Sequence, residues 1–311
     1  MKGRLSATNT PATPLVGCRW GFTANPLLMP GREAILFSMV QAMLLAIVIA
    51  LLGARCSTSH AVVEPPLPVA HRVLFIGNSL TATNNLPATI AAIARSAGDS
   101  ISVKAVVGPG LALIDHYNGA TDALAVIREG GWDYVVLQQG PTSTGGVCQD
   151  SLILWSTMFA TRIEAVGATT ALFMVWPARD RLAYFDDVRT AYQLAASASH
   201  GVFLPAGEAW RAAWVTDSGL PLYGPDDFHP SPMGTFLASL EIYERLSGRD
   251  VRTLPPVAFA NGVRLAVPTD KVRVLQAAAH EANQRFPAVS AAAPSPGAAP
   301  ASGPGPGTLG C

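Results

Sequence analysis

Two short segments of the sequence carry residue types that together could support nucleophilic catalysis. Ser79 follows the apolar run 72–77, and far downstream Asp226 and His229 stand three positions apart. A serine hydroxyl is a weak nucleophile until a base takes its proton, and histidine suits that task because its pKa lies near neutrality. A carboxylate that orients the histidine completes the set. The pattern predicts acyl transfer with Ser79 as nucleophile, His229 as general base and Asp226 as the residue that orients His229.

Each segment also has an ordinary structural interpretation when it is taken alone. Ser79 could cap a helix, since serine is a favoured N-cap residue. An Asp-x-x-His segment in a Pro/Gly-rich stretch could be a solvated loop. Within that segment, Asp227 is the alternative partner for His229. The catalytic interpretation depends on both segments reaching one place in the fold.

The elements that must position these residues alternate between strands and helices. Five strands are predicted, at 72–77, 101–107, 134–138, 169–175 and 202–205. Helical patterns lie at 86–97, 111–129 (one broken or two short helices), 151–166, 182–199, 233–246 and 270–285. Near-continuous apolar strands alternating with helices predict a five-stranded, mainly parallel sheet covered on both faces, which is a flavodoxin-like three-layer α/β/α fold.

Several candidate residues come directly after predicted strands. Besides Ser79, these are Gly110 and the pair Gln138 and Gln139. Ligands of open parallel sheets bind at the carboxyl ends of the strands. We therefore expect these side chains and backbone groups to converge on one rim of the sheet.

The N-terminal part of the chain has the composition of an export signal. Residues 34–53 are almost all apolar and long enough to cross a bilayer as a helix, so 34–61 is predicted to be a signal peptide or a membrane anchor. Residues 1–33 are an extension before it, which a start at Met29 or Met39 would shorten. Either interpretation places the protein beyond the cytoplasm, as a secreted, periplasmic or membrane-anchored protein.

The rest of the chain is predicted to be one folded domain, 70–286, followed by a disordered Ala/Pro/Gly-rich tail, 287–311. With 21 basic and 21 acidic residues and no basic block, the sequence gives no electrostatic basis for binding nucleic acid. Its 4 cysteines do not suggest a disulfide framework. There is no Cys-x-x-Cys or His-Glu-x-x-His motif, so we predict neither a metal nor another cofactor.

The two segments resemble motif blocks of the SGNH, or GDSL-like, hydrolases. The first block of that family, a strand followed by Gly-Asp-Ser-Leu, stands here at 75–80 with Asn in place of Asp, and the last block, Asp-x-x-His-Pro, at 226–230. The glycine of the second block matches Gly110, with Gly108 as the alternative. The third block, Gly-x-Asn-Asp, is absent, and 135–141 takes its place. In family order, the blocks cover nearly the whole predicted domain.

The resemblance implies the SGNH hydrolase fold and a role for each matched residue. Ser79 would form an acyl-enzyme, and the oxyanion would be held by the backbone N–H groups of Ser79 and Gly110 together with a side-chain amide. Because the asparagine of the family is missing, Gln138 or Gln139 would supply that amide. Neighbouring strand residues point to opposite faces, so at most one can lie in the site, and Gln138 is favoured.

The implied activity is that of a serine ester hydrolase that needs no cofactor. Its export suggests extracellular carbohydrate esters or small acyl esters as substrates. One alternative is an O-acyltransferase that acts on glycans, because the same triad serves if water is excluded. The other is a non-catalytic envelope module that keeps the fold and binds a glycan; residues 34–53 would be a possible membrane tether in each case.

A few other residues have side chains that could contribute to a site. His116 could line the pocket or lie on a helix surface, and Trp176 could form an acyl or sugar wall or pack under a loop. Glu208 is predicted to belong to the start of a helix. Ordinary surface positions are predicted for His71, His200 and His280.

Overall fold

The computed structural model describes residues 67–141 and 146–287, together with the single positions 41 and 43. By internal contacts the chain divides into Met1–Pro65 and Pro66–Cys311, and every element below belongs to the second unit. The predicted extension 1–33 and the tail beyond 287 lie outside the described residues, as does the apolar segment apart from positions 41 and 43. In the part of the chain that is described, no helix has both the length and the apolar character that crossing a membrane requires.

A five-stranded sheet in the order β2-β1-β3-β4-β5 forms the centre of the domain, and all its neighbouring strands are parallel. Its strands are β1 (Ala70–Gly77), β2 (Ser100–Val107), β3 (Tyr134–Leu137), β4 (Thr169–Phe173) and β5 (Val202–Leu204). This is the flavodoxin-like order. The predicted fold class is confirmed, and each predicted strand is present within three residues of its predicted bounds.

Helices lie between the strands and after them. They are α1 (Ser79–Ala82), α2 (Leu86–Ser96), α3 (Leu113–Tyr117), α4 (Ala123–Arg128), α5 (Gly146–Glu164), α6 (Phe185–Ala198), α7 (Ala206–Thr216), α8 (Pro232–Ser247) and α9 (Thr269–Arg285). Short 3₁₀ turns occupy Thr83–Asn85, Arg179–Tyr184 and Val251–Thr253. The side chain of Asn85 caps α2 and that of Ser231 caps α8, each accepting from a backbone N–H in the first turn.

Some features are predicted by the sequence pattern only in part or not at all. The pattern indicates only the start of helix α7, near Glu208. It does not predict the short helix α1 or the antiparallel hairpin of β6 (Ala258–Ala260) and β7 (Val263–Leu265), whose strands are too short to show a period. Cys148, on α5, is disulfide-bonded, although the cysteine content does not suggest a disulfide framework.

The register of the strands brings their carboxyl ends to a common edge. Gly77 pairs with Val107 of β2, and Ile76 pairs with Leu137 of β3. The second half of β1, Val73 to Ile76, has no exposed surface, since both faces of the sheet are covered there. The segments that follow β1, β2 and β3 therefore begin next to one another at the same rigid edge of the sheet.

Candidate active site

Ser79 is the first residue of α1 and follows β1 after a single intervening residue, Asn78. The side chain of Asn78, not Ser79, caps the helix by accepting the N–H of Leu80 at 3.1 Å. Ser79 is half-buried, and its own N–H has no acceptor among the residues that the structure describes. The turn therefore leaves both the hydroxyl and the N–H of Ser79 available.

His229 connects the serine to a carboxylate. Its Nε2 lies 2.8 Å from Ser79 Oγ, and its Nδ1 lies 2.5 Å from Asp226 Oδ2. The other oxygen of Asp226 accepts the backbone N–H groups of Phe228 and His229, at 3.2 and 2.9 Å. Because a carboxylate only accepts, Nδ1 carries the proton and Nε2 can accept from the serine. The hydrogen bond from His229, helped by these two backbone groups, lowers the pKa of Asp226 to about 2.

Asp227, the alternative partner for His229, faces another residue. Its Oδ1 lies 2.6 Å from Nε of Arg179, and its carbonyl accepts the N–H of Arg179 at 2.9 Å. Its backbone is left-handed, with φ of 55°, which turns the chain between the two aspartates. The geometry therefore assigns the contact with His229 to Asp226.

Aromatic residues support the loop that carries Asp226 and His229. Trp176, which follows β4, donates from Nε1 to the carbonyl of Phe228 at 3.1 Å, and Tyr223 donates to the carbonyl of Pro177 at 2.5 Å. The ring of Trp176 stacks on Trp210 with centroids 3.7 Å apart. Trp176 has no exposed surface, so it packs under a loop and does not form a substrate wall.

Gly110 lies in the exposed loop between β2 and α3, with φ of 71°. No acceptor takes its N–H within the described part of the chain. The alternative, Gly108, donates its N–H to the carbonyl of Gly77 at 3.2 Å and cannot offer it to a ligand. The side chain of Asn78 ties this loop to the serine turn by donating to Leu111 O at 3.1 Å. Of the two glycines, Gly110 is thus the one with an available donor.

The side-chain amide of Gln138 makes all of its hydrogen bonds to other groups of the protein. Its Oε1 accepts the N–H of Asn78 at 2.9 Å and the hydroxyl of Thr81 at 2.7 Å. Its Nε2 donates to Asn78 Oδ1 at 3.0 Å and to the carbonyl of Gln139 at 2.8 Å. Since both N–H groups are engaged and the side chain is buried, the prediction that Gln138 completes the oxyanion hole is wrong for this geometry.

Gln139 does not replace it. Its Oε1 accepts the N–H of Leu113 at 3.1 Å, and its Nε2 is buried with no hydrogen-bond partner among the described residues. An oxyanion donor must reach the position that the substrate oxygen occupies, whereas this nitrogen is inaccessible. The candidate oxyanion donors that remain are the backbone N–H groups of Ser79 and Gly110.

His116 lies in neither of its predicted places, because it is completely buried. Its Nε2 lies 3.0 Å from the carbonyl of Gly77, and its Nδ1 lies 2.8 Å from the hydroxyl of Thr121. A carbonyl can only accept, so Nε2 carries the proton. Burial lowers the pKa of His116, which favours this neutral form. The ring therefore stabilises the end of β1 through its hydrogen bond to the carbonyl of Gly77.

Glu208 lies in the first turn of α7, as predicted, and is buried. Its Oε1 pairs with Arg211 at 3.0 Å and with Arg189 at 3.2 Å. These contacts make it a structural residue. Of the histidines that are predicted at surface positions, His200 is exposed and His71 is half-buried.

One group of three possible metal ligands comes together in the described ranges: Glu244, Asp250 and His280. His280 is half-buried and its Nδ1 bonds Glu244 at 2.7 Å, so the predicted surface position is wrong. The backbone N–H of Val251 binds Glu244, and the guanidinium of Arg252 binds both oxygens of Asp250. These contacts satisfy the three side chains without an ion.

An open cavity of about 680 Å³ borders the candidate site on the side of His229. It is lined by Thr83, Asn84, Tyr223, Gly224, Pro225, Asp226, His229, Pro230, Ser231 and Pro232. Most of its lining comes from the loop that carries the histidine. A ligand in this cavity would contact the histidine directly.

No model of a known protein family matches the sequence, and no curated protein matches it. Solved structures do match. A DUF4886 family protein from Bacteroides uniformis ATCC 8492 aligns with a TM-score of 0.60 at 17% identity, over 70% of this chain and 96% of its own. A protein from Slackia heliotrinireducens, provisionally named an SGNH hydrolase, aligns at 27% identity with a TM-score of 0.47, over 57% and 99%. The lipase/acylhydrolase from Enterococcus faecalis aligns at 16% identity with a TM-score of 0.46, over 58% and 96%.

The fold of this chain is a five-stranded parallel α/β/α sandwich, and SGNH or GDSL-like hydrolases, lipases and acylhydrolases recur among its structural neighbours. The observed strand order agrees with the flavodoxin-like fold that the sequence predicts. At these identities the likeness concerns architecture. The function has to be argued from the site itself.

Proposed function

We propose that this protein is a serine ester hydrolase that works through an acyl-enzyme. The observation that carries the proposal is the continuous chain of contacts from Ser79 Oγ to His229 and from His229 to Asp226, at 2.8 and 2.5 Å. Nucleophile, base and orienting carboxylate lie within hydrogen-bonding distance in the order that nucleophilic catalysis requires.

The protein groups that take part are Ser79, His229 and Asp226, together with backbone N–H groups. Ser79 Oγ attacks the acyl carbon while His229 Nε2 takes its proton, and Asp226 stabilises the imidazolium that forms. The N–H groups of Ser79 and Gly110 would hold the oxyanion of the tetrahedral intermediate. His229 then protonates the leaving alcohol, which departs and leaves the acyl group on Ser79. A water molecule, deprotonated by His229, then attacks the acyl carbon, and the bond to Ser79 breaks as His229 returns the proton to Ser79 Oγ and the acid is released.

The surroundings of Ser79 and His229 favour ester substrates that are small or extended over substrates that the protein would have to enclose. The neighbouring cavity is open, and its lining of prolines, Tyr223 and Asn84 combines apolar surface with a few polar groups. We propose small acyl esters or acylated carbohydrates as the substrate class. If residues 34–61 act as a signal peptide or an anchor, the substrates are extracytoplasmic.

A non-catalytic glycan-binding module is the second candidate. One observation favours it: neither Gln138 nor Gln139 presents a side-chain amide to the site. Loss of one oxyanion donor typically costs about 10²–10³ in kcat. Such a cost weakens an esterase but does not remove its nucleophile.

A fluorophosphonate probe separates the two candidates, because it reacts only with an activated serine. We expect labelling of the wild-type protein at Ser79, located by peptide mass spectrometry, and none of Ser79→Ala. Ser102→Ala, an exposed serine on β2, is the matched control and should label like the wild type. A folded wild-type protein that resists labelling would exclude the esterase and favour the binding module. Products formed from nitrophenyl acetate with an added glycan would distinguish hydrolysis from O-acyl transfer.

A further inference from the structure

We infer that Gln138 is a positioning residue, whose amide sets the conformation of the turn that carries Ser79. The inference rests on the proposed nucleophilic role of Ser79. Two of the four hydrogen bonds of this amide go to one residue, Asn78: Oε1 accepts its backbone N–H at 2.9 Å, and Nε2 donates to its Oδ1 at 3.0 Å. Asn78 is the residue directly before the nucleophile.

These contacts fix both the backbone and the side chain of Asn78. Its Oδ1 also accepts the N–H of Leu80, so one oxygen joins the cap of α1 to Gln138. A third contact, from the hydroxyl of Thr81 to Gln138 Oε1 at 2.7 Å, holds the far side of the first helical turn. Ser79 lies between these anchored residues, and its N–H and Oγ are the polar groups left to face the ligand.

The amide is packed closely against its surroundings. A Cβ on Gly77 would lie 2.5 Å from Gln138 Oε1 and 2.7 Å from Thr81 Oγ1, so a glycine is required at the end of β1. On the other side, the buried hydroxyl of Tyr192 accepts the N–H of Gln139 at 3.0 Å and donates to its carbonyl at 2.5 Å. The same carbonyl receives Gln138 Nε2. Through this carbonyl, Tyr192 of α6 supports the residue to which the Gln138 amide donates.

The chemistry selects glutamine at this position. The site needs two acceptor contacts and two donor contacts from one planar group, which a side-chain amide provides. A carboxylate would set two acceptors against Asn78 Oδ1 and the carbonyl of Gln139. An apolar side chain would leave the N–H of Asn78 buried and unpaired, and the turn would relax to find another acceptor.

The test compares Gln138→Met with Gln276→Met. Gln276, on α9, is equally buried, and its amide donates to Leu254 O and Pro255 O and accepts from Arg273. The measurements are the rate constant for fluorophosphonate labelling at Ser79, kcat and KM on nitrophenyl acetate, and the melting temperature. A misplacement of about 1 Å can cost about 10² in rate. We therefore expect labelling and kcat of Gln138→Met to fall by about 10–10², with KM changed less than about twofold.

Gln276→Met should lose stability and still label at the wild-type rate. A folded Gln138→Met protein that labels like the wild type would overturn the positioning role and leave the esterase proposal intact. If the wild type itself is not labelled, the proposed function is wrong, and the positioning role is overturned with it. If Gln138→Met does not fold, Thr81→Val removes one contact at almost constant volume. Its labelling rate should fall by about threefold or more, and an unchanged rate would overturn the inference.

Discussion

His229 Nε2 lies 2.8 Å from Ser79 Oγ although the two residues are 150 positions apart in the chain. Two separate supports produce this contact. The serine is held by the sheet through the β1–β3 register and by Gln138, and the histidine is held by the loop that Trp176 and Tyr223 anchor. Both supports belong to the fold itself, and holding the pair in contact in this way is the preorganisation that nucleophilic catalysis needs.

Exchanging the two neighbouring aspartates for asparagine, one at a time, tests which one serves His229. In Asp226→Asn the amide can donate to Nδ1, which leaves the proton on Nε2 and prevents it from accepting from Ser79. We expect kcat on nitrophenyl acetate to fall by about 10²–10⁴. Asp227→Asn weakens a half-exposed ion pair with Arg179, worth about 0–1 kcal/mol. Its kcat should stay within about threefold of wild type.

The same pair of variants provides its own control, because both remove one carboxylate from the same loop. Equal losses in both would mean that the net charge of the loop matters more than the hydrogen bond to His229. A larger loss in Asp227→Asn would transfer the orienting role to Asp227.

Trp176→Phe tests whether the indole positions the histidine loop. The variant keeps an aromatic ring on Trp210 but loses the bond from Nε1 to the carbonyl of Phe228. The free energy of unfolding should fall by about 1–3 kcal/mol. Because the lost bond holds the residue next to His229, kcat/KM should fall as well, by about 10-fold.

Trp132→Phe is the matched control for that experiment. Its indole is also buried and donates to a backbone carbonyl, that of Val126, at 3.0 Å, but the residue precedes β3 at the opposite end of the strand from the candidate site. It should lose similar stability and keep the wild-type kcat/KM. Equal effects of the two substitutions on kcat/KM would show that general loosening, and not the loop contact, limits activity.

The fold and the three residues Ser79, Asp226 and His229 could be predicted because their sequence signals are local. A buried parallel strand is a continuous apolar run, and a parallel sheet places the ends of its strands on one rim. Ser79 and Gly110 follow such runs, and the motif blocks single out Asp226 and His229. The motif also favours Asp226 over Asp227, and the geometry agrees with that choice, because Asp226 contacts His229 whereas Asp227, with its left-handed backbone, contacts Arg179.

The roles of Gln138, Gln139 and His116 could not be predicted, because tertiary contacts determine them. Two consecutive glutamines after a strand have the same local pattern. What separates them is that the Gln138 side chain bonds Asn78, the residue that follows β1. His116, next to Asp115 in a helical pattern, has the sequence signature of a surface residue. Its burial depends on the carbonyl of Gly77 and the hydroxyl of Thr121, which nothing in its own segment indicates.

Glu241 on α8 should make the stability of the protein depend on pH. It has no exposed surface, and neither carboxylate oxygen has a partner in the described part of the chain. Burial raises its pKa from 4.5 to about 8; nearby Arg245 acts in the opposite direction and Glu244 in the same one. Between these pH values the folded state keeps a proton that the unfolded state has released. Stability therefore falls as pH rises from about 4.5 to about 8.

Glu241→Gln keeps the shape of the protonated acid and cannot ionise. The variant and the wild type should have similar free energies of unfolding near pH 4.5, whereas at pH 8 the variant should be more stable by about 2–4 kcal/mol. Urea unfolding at several pH values between these limits measures the difference. Glu281→Gln, an exposed position on α9, is the control and should follow the wild-type curve. If Glu241→Gln also follows that curve, Glu241 is not held as a neutral acid in the folded protein, and its burial must be compensated by its neighbour Arg245.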